Sequence, residues 1–233
     1  MGEGAVRKMV QEHFSNSEAV ARYAEGPPRF VPGFRDIHRM ALVLLREPMP
    51  EDGQLLVLGA GGGLELKSFA EANPGWSFTG VDPSAEMLGL ARSATAAAAE
   101  RIELVEGYIE DAPAGPFDGA TCLLTLHFLD RDERRRTLRE IRRRLVPGAP
   151  FIAVHSSFPQ EPAVRPLWLN RYRNFAVAGG APAGDAEHWR RAVEQQLTLL
   201  SPEEDEELLR EAGFANVTGF YAAFTWRGWV AYA

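Results

Sequence analysis

The stretch LLVLGAGGGLELKSF, Leu55 to Phe69, runs an apolar segment into four glycines within five residues and then into a helical pattern. No other feature limits the fold as much. An apolar run closed by glycine reads as a buried strand. A glycine turn between strand and helix lets backbone N–H groups approach a ligand that a side chain would fend off. From Gly53 to Ser156 the pattern repeats, with β-rich runs at Gln54–Leu58, Ser77–Val81, Ile102–Val105, Thr121–Thr125 and Phe151–His155 separated by helical stretches. That alternation predicts an α/β fold with a doubly wound, mostly parallel sheet.

The helices carry their own punctuation. Asp130 with Glu133 makes a capping-box-like start, Leu138, Ile141 and Leu145 share one face, and Pro147-Gly148 ends the run. Ser201-Pro202-Glu203-Glu204 combines an N-cap, a proline at the first helical position and a glutamate at the third, with Gly213 closing the helix. Two β-rich runs follow, Val217–Phe224 and Trp229–Tyr232, joined too briefly for a crossover helix, so they are predicted to pair antiparallel. The expected sheet thus has seven strands and ends in a hairpin. One domain overall is expected: residues 1–50 as an N-terminal helical lid, 51–156 as the ligand-binding core, 157–200 as a lid or substrate insertion, and 201–233 completing the sheet.

Spacing restricts what the glycine turn can hold. A phosphate loop needs Gly-Lys-Ser/Thr at its end, and Leu64-Glu65-Leu66 stands there instead. The dinucleotide fingerprint needs Gly or Ala at its sixth position, and both registers place leucine there, Leu64 or Leu66. What remains is Gly59-Ala60-Gly61-Gly62-Gly63, followed 19 residues after Gly63 by Asp82 at the end of the second strand. A carboxylate there can accept hydrogen bonds from both hydroxyls of a ribose, which suits a nucleoside without a pyrophosphate.

With its strand, helix, Asp82 and terminal hairpin, the turn resembles the class I S-adenosylmethionine-dependent methyltransferases. That resemblance implies the Rossmann-like methyltransferase fold, S-adenosylmethionine as cofactor with S-adenosylhomocysteine as product, and in-line attack by a small-molecule acceptor beneath a roof from residues 1–50 and 157–200. Carried over residue by residue, it places Gly59, Ala60, Gly61, Gly63, Asp82, Pro83 and Met87 against the cofactor, with Tyr108 and Ile109 along the adenine, and adds Leu124 and Phe34. Leu123–Leu129 looks like the strand-end motif beneath the sulfonium, and Leu145-Val146-Pro147-Gly148 matches the family's turn into the fifth strand.

Some stretches are similar to a narrower branch, the carboxy-S-adenosylmethionine synthases that serve a tRNA wobble-uridine modification. They are Val31-Pro32-Gly33-Phe34, Thr125-Leu126-His127-Phe128-Leu129, the segment from Arg191 to Phe214, and Phe224-Thr225-Trp226-Arg227-Gly228. The likeness implies that Arg191 grips a carboxylate across a dimer interface, so a homodimer is among the expectations. The chain departs from the pattern at Val57, where the family has an acid two residues before the first glycine, and at Phe34, Tyr108 and Leu123. These departures favour a methyltransferase over the synthase and keep a non-catalytic relative that binds the cofactor as a third reading.

His127 lies at a strand end, where it can act as general base or simply pack the cleft. His155 is a candidate substrate contact at the end of the fifth strand. Trp168, Tyr172 and Trp189, interspersed with Arg165, Arg171 and Arg173, read either as an aromatic and cationic acceptor pocket or as the core of a helical lid. The five histidines show no paired ligand spacing and no cysteine pair accompanies them, so no metal is expected. Arg134-Arg135-Arg136 with Arg139, Arg142, Arg143 and Arg144 reads as a solvated helix face. With a formal net charge of -7, nucleic acid is not the expected partner. A single cysteine, Cys122, in an apolar run, the absence of a secretion-signal core in MGEGAVRKMVQEHF and the lack of a membrane-length apolar run point to a cytoplasmic enzyme.

Overall fold

A computed structural model describes residues 26–233. The expected N-terminal lid therefore falls partly outside the described residues. What is described begins with a short helix α1 (Pro27–Phe30) and α2 (Phe34–Arg46). The core follows as β1 (Gln54–Leu58), α3 (Leu64–Ala72), β2 (Ser77–Asp82), α4 (Ala85–Ala94), β3 (Ile102–Glu106), β4 (Gly119–Leu123), α5 (Arg131–Arg143) and β5 (Pro150–Ser156). Helices α6 (Arg165–Ala178) and α7 (Ala183–Gln196) form a pair, and α8 (Pro202–Glu211), β6 (Ala215–Ala223) and β7 (Trp226–Tyr232) complete the chain.

The seven strands lie in the order β3-β2-β1-β4-β5-β7-β6. All neighbours from β3 to β5 pair parallel, and β7 pairs antiparallel with both β5 and β6. After β1 the chain winds outward to β2 and β3, then returns to lay β4 on the other side of β1. The topological switch point therefore falls between β1 and β4, beside the glycine turn, where open α/β sheets bind ligands. β1 owes its place to sequence alone: Leu55, Leu56 and Val57 are fully buried, as a strand covered by helices on both faces requires.

Most strand ends shift by one to three residues from the sequence expectation, and two of the shifts have a clear backbone cause. β4 stops at Leu123 rather than Thr125, because Leu124 takes a positive φ of 57° and Leu126–Phe128 then form a 3-10 turn. β7 starts three residues early, at Trp226, because the hairpin turn is only Phe224-Thr225, with Phe224 at φ 50°. Both helix starts fall as read: the Asp130 side chain accepts from the Glu133 N–H and Glu133 accepts in return, and Ser201 with Glu204 does the same.

The arginine-rich helix α5 is a correction. Arg136, Arg139, Arg142 and Arg143 are exposed, but Arg134 and Arg144 are buried. Arg134 donates to the carbonyls of Leu126 (3.1 Å) and Thr198 (2.7 Å) and meets Asp205 of α8 at 2.5 Å. Within a run that reads as a solvated face, Arg134 thus pins α5 to α8, while Arg144 bonds the Pro113 carbonyl; i, i+4 and i, i+7 spacing turns Arg134 onto the same side as Leu138 and Ile141.

No described helix is long and apolar enough to cross a membrane. Cys122 is fully buried in β4, and that burial pushes its thiol well above the ordinary range. The native protein is expected to leave a chromogenic thiol reagent unreacted and to yield one equivalent only on unfolding. Rapid reaction under native conditions would contradict the packing of β4.

Candidate active site

At the carboxyl ends of β1, β2 and β4 lies a cavity of about 880 Å³. Pockets for small molecules span roughly 300–1,000 Å³, so this one has room for a nucleoside cofactor together with an acceptor. Its floor is the glycine turn. The N–H groups of Gly59 and Ala60 donate to the Val81 carbonyl, and Gly61 N–H donates to Asp82 Oδ2 at 2.9 Å. Asp82 Oδ1 accepts from Ser84 N–H at 3.0 Å, so the carboxylate is fixed at both oxygens while each keeps a lone pair for a further donor. Burial raises the Asp82 pKa, and these two N–H bonds counter the rise.

Gly59 could not be any other residue without rearrangement. Its φ is +77°, and a Cβ would lie 2.0 Å from Thr125 Oγ1. Gly63, expected on the cofactor, does not border the cavity; a Cβ there would lie 2.7 Å from Ala91 Cα, so this glycine brings α3 close to α4. Gly59, Ala60, Gly61, Asp82, Pro83 and Met87 all border the cavity, as do Tyr108, Ile109, Leu124 and Phe34.

The other wall is aromatic. Phe30 stands between Tyr172 and Trp189, at 6.0 Å from each ring, and 6.4 Å from Trp226. These come from α1, α6, α7 and β7, and the Trp226 indole N–H donates to the Phe30 carbonyl at 2.9 Å. The Tyr221 hydroxyl likewise donates to the Pro32 carbonyl at 2.7 Å. Burial pushes the Tyr172 hydroxyl well above its ordinary range, so it stays protonated.

His127 borders the cavity, with Phe128 at 4.4 Å and Trp226 edge-on at 5.6 Å. Its Nδ1 accepts from the Ser156 N–H at 3.3 Å, which places the ring proton on Nε2. Burial, assisted by His155 and Arg134, holds its pKa well below the usual value. His127 is thus held as a neutral imidazole with a donor at Nε2.

Three expected substrate contacts lie elsewhere. His155 is buried in β5, inside the sheet, with its ring 5.1 Å from that of Trp229 at a 38° tilt and its Nε2 3.1 Å from Asp205 Oδ2. Arg191 is 65 % exposed on the outside of α7 and pairs with Glu187 at 3.1 Å. Trp168 sits outside the cavity between the guanidinium groups of Arg171 (4.4 Å) and Arg227 (5.6 Å). The nearby arginines are taken up too: Arg165 by Gln160 and Glu194, and Arg173 by Glu187. Of the aromatic and cationic group, only Tyr172 and Trp189 reach the cavity. Among the described residues no lysine or arginine borders it, and no cluster of three metal-ligating side chains occurs.

Sequence reasoning missed Phe30 and Glu65, both on the cavity wall. Glu65 is the second residue of α3, where an acid reads as an ordinary partner of the helix N-terminus. Its signal was visible only in combination, as an acid in the same unit from which Val57 had removed one.

Similarity to known proteins bears on the fold and the family. A family model described as a methyltransferase domain matches residues 55–148. The carboxy-S-adenosyl-L-methionine synthase of Chromohalobacter salexigens is 25 % identical over 221 residues, 93 % of this chain and 82 % of that protein. The ubiquinone/menaquinone biosynthesis C-methyltransferase UbiE of Methylobacterium nodulans is 30 % identical over 166 residues, 70 % of this chain and 65 % of that one. The solved structure of PigF with S-adenosylhomocysteine superposes with a TM-score of 0.68 at 19 % identity, over 95 % of this chain. The chain spans only 61 % of that structure's length. With the sheet order and the glycine turn, these matches support a class I S-adenosylmethionine-dependent methyltransferase. Within that family its likeness over nearly the whole length is to the carboxy-S-adenosylmethionine synthase branch.

The residues present fit the family's cofactor. Asp82 keeps acceptor capacity at the β2 end, Tyr108 and Ile109 border the same cavity, and so does Glu65, one carboxyl oxygen of which has no partner among the described residues.

Proposed function

We propose that the chain methylates a small, uncharged, largely aromatic acceptor held against Phe30, Tyr172 and Trp189. The observation that carries this reading is the chemistry of the wall: four aromatic rings and no described cation. An anionic acceptor would be desolvated there without a counter-charge, which costs far more than an apolar one gains. When bound, S-adenosylmethionine supplies a methyl group already activated on a sulfonium, which the acceptor takes with loss of a proton.

The chain's own contribution is alignment and exclusion of water. The aromatic wall from α1, α6 and α7 orients the acceptor's plane, and positioning of this kind supplies much of the rate in a displacement that needs no covalent help. His127 Nε2 offers a hydrogen bond to an acceptor oxygen or nitrogen and so fixes which atom faces the methyl group. With its proton already on Nε2 and Nδ1 occupied by Ser156, it orients rather than deprotonates. The acceptor's proton leaves to solvent. Helices α6 and α7, with α1, act as the lid over this crevice, and the single buried thiol supports a cytoplasmic setting.

Incubation with methyl-labelled cofactor and a panel of aromatic acceptors, each paired with its carboxylated counterpart, tests the reading. Label transferred to the neutral members and not to the acids is expected; preference for the acids would overturn it.

Whole-length similarity favours a second reading, carboxy-S-adenosylmethionine synthesis. It needs a cation on the substrate, and Arg191, the residue the resemblance nominates, points away from the cavity in the single chain. Replacing Arg191 with alanine is expected to leave S-adenosylhomocysteine affinity and methyl transfer within twofold of the unaltered protein. Incubation with prephenate and S-adenosylmethionine, followed by mass analysis, is expected to show no carboxylated cofactor; its appearance, abolished by Arg191→Ala, would establish the synthase instead.

A further inference from the structure

Val57 leaves β1 without an acid where the strand enters the glycine turn, yet a carboxyl group stands beside that place. Glu65 is 6 % exposed and borders the cavity, and its Oε1 has no hydrogen-bond partner. Its polar neighbour is the Thr121 hydroxyl, near enough to favour the charged form, although Glu65 Oε1 and Thr121 Oγ1 are both left without a hydrogen bond that meets the distance and angle limits. Thr121 is the register partner of Val57 in the parallel β1–β4 pair. Register partners present their side chains to the same face of a sheet. Val57 packs on that face with Leu55, Leu66 and Phe69, whereas Leu56 and Leu58 join the core on the other side. The Glu65 carboxyl therefore reaches the face of the sheet toward which an acid at position 57 would project, coming from the helix instead of the strand.

Such a group is costly to leave unpaired, and nothing among the described residues offsets that cost. Burial pushes Glu65 up to about 8, with Thr121 pulling the other way. The titratable groups facing the same space offer no cation. His38 of α2 is held down at about 4 by burial, His127 is neutral, Asp82 of β2 is an acid, and Cys122 of β4 is a buried thiol raised by burial and by Glu65 itself. A positive charge from outside would complete the site.

We propose that Glu65 receives the ammonium group of the cofactor's methionyl half, supplying from the first turn of α3 the contact that β1 lacks at Val57. This rests on the cofactor assignment above. The free protein holds Glu65 as a carboxylic acid; on binding, its O–H bond breaks, the proton leaves to buffer and the carboxylate pairs with the ammonium. The N-terminus of α3 stabilises the charged form once the partner is in place.

Calorimetry on the full chain tests this without reference to catalysis. S-adenosylhomocysteine and 5′-methylthioadenosine, which lacks the amino-acid end, are titrated into the unaltered protein and Glu65→Gln between pH 6 and 8.5, in two buffers of different ionisation enthalpy. The unaltered protein is expected to release close to one proton per S-adenosylhomocysteine at pH 7. Its affinity should rise about tenfold per pH unit up to about 8 and then level off, while methylthioadenosine shows neither effect. Glu65→Gln, equal in size and uncharged like the free acid, is expected to weaken S-adenosylhomocysteine by about 10- to 100-fold. Methylthioadenosine binding should stay unchanged. Equal affinity for S-adenosylhomocysteine in both proteins, equal loss of both ligands, or pH-independent binding without proton release would each overturn the role of Glu65. If the unaltered protein binds neither ligand, the cofactor assignment falls and takes this proposal with it.

Discussion

Replacing Asp205 with alanine is expected to destabilise the chain by about 3–5 kcal/mol, the range for stranding one partner of a buried ion pair. The carboxylate and the Arg134 guanidinium meet at 2.5 Å with both side chains 1 % exposed. Without Asp205, Arg134 keeps its bonds to the Leu126 and Thr198 carbonyls and has no counter-charge. The loss should appear as a lower urea midpoint at pH 7 with an unchanged slope. A midpoint within experimental scatter of the unaltered protein would show that the pair is dispensable.

The same carboxylate predicts a pH dependence. Burial alone would raise its pKa, but His155 and Arg134 hold it at about 2, below the usual value near 4. A carboxyl depressed in the folded state contributes stability that is fully present above the unfolded pKa and is lost as pH falls through the folded one. Between pH 4 and pH 2 the chain should therefore lose about 2 kcal/mol through this group. In Asp205→Ala that part of the acid sensitivity should vanish.

Gly59→Ala is expected to reduce S-adenosylhomocysteine affinity by at least about 100-fold while costing on the order of 1–3 kcal/mol of stability. Two effects add. Alanine at φ +77° is strained, and its methyl would sit 2.0 Å from Thr125 Oγ1 and 2.8 Å from Thr125 Cβ. Relief requires the turn to move off Val81, which releases the N–H groups of Gly59 and Ala60 and draws Gly61 away from Asp82. Combining Gly59→Ala with Thr125→Gly removes the collision but not the strain, so affinity should return only in part. Full affinity in the single variant, measured by calorimetry, would mean that the turn tolerates a side chain and does not set the cofactor's position.

How much of this was legible beforehand follows from the range of the interactions involved. β1 was read to the residue, because an apolar run bounded by glycine is a local signal. The starts of α5 and α8 were read from caps three residues long. The end of β4 was misread because Leu123-Leu124-Thr125 has a strand's composition, and only the hydrogen bond from Leu124 N–H to the Val154 carbonyl, 30 residues away, fixes the turn there. Arg134 was taken for a surface residue because its partner Asp205 is 71 positions distant. The half of the cavity that lies on consecutive βα turns is made of residues close together in the sequence, and most of those named from the sequence border it. The aromatic half is assembled from α1, α6, α7 and β7, whose mutual placement no local pattern encodes, and so His155 and Trp168 read as cavity residues although neither borders it.

The hydrogen bonds from Tyr221 to Pro32 and from Trp226 to Phe30 join positions 189 and 196 residues apart. Translation delivers the first partner of each pair long before the second. While the ribosome adds the intervening residues at about 5–20 per second, the family's domain, residues 55–148, can wind its strands with Phe30 still unanchored. The aromatic wall closes only after Trp226 has left the exit tunnel. A nascent chain can thus wind its glycine turn many seconds before Phe30 meets Trp226.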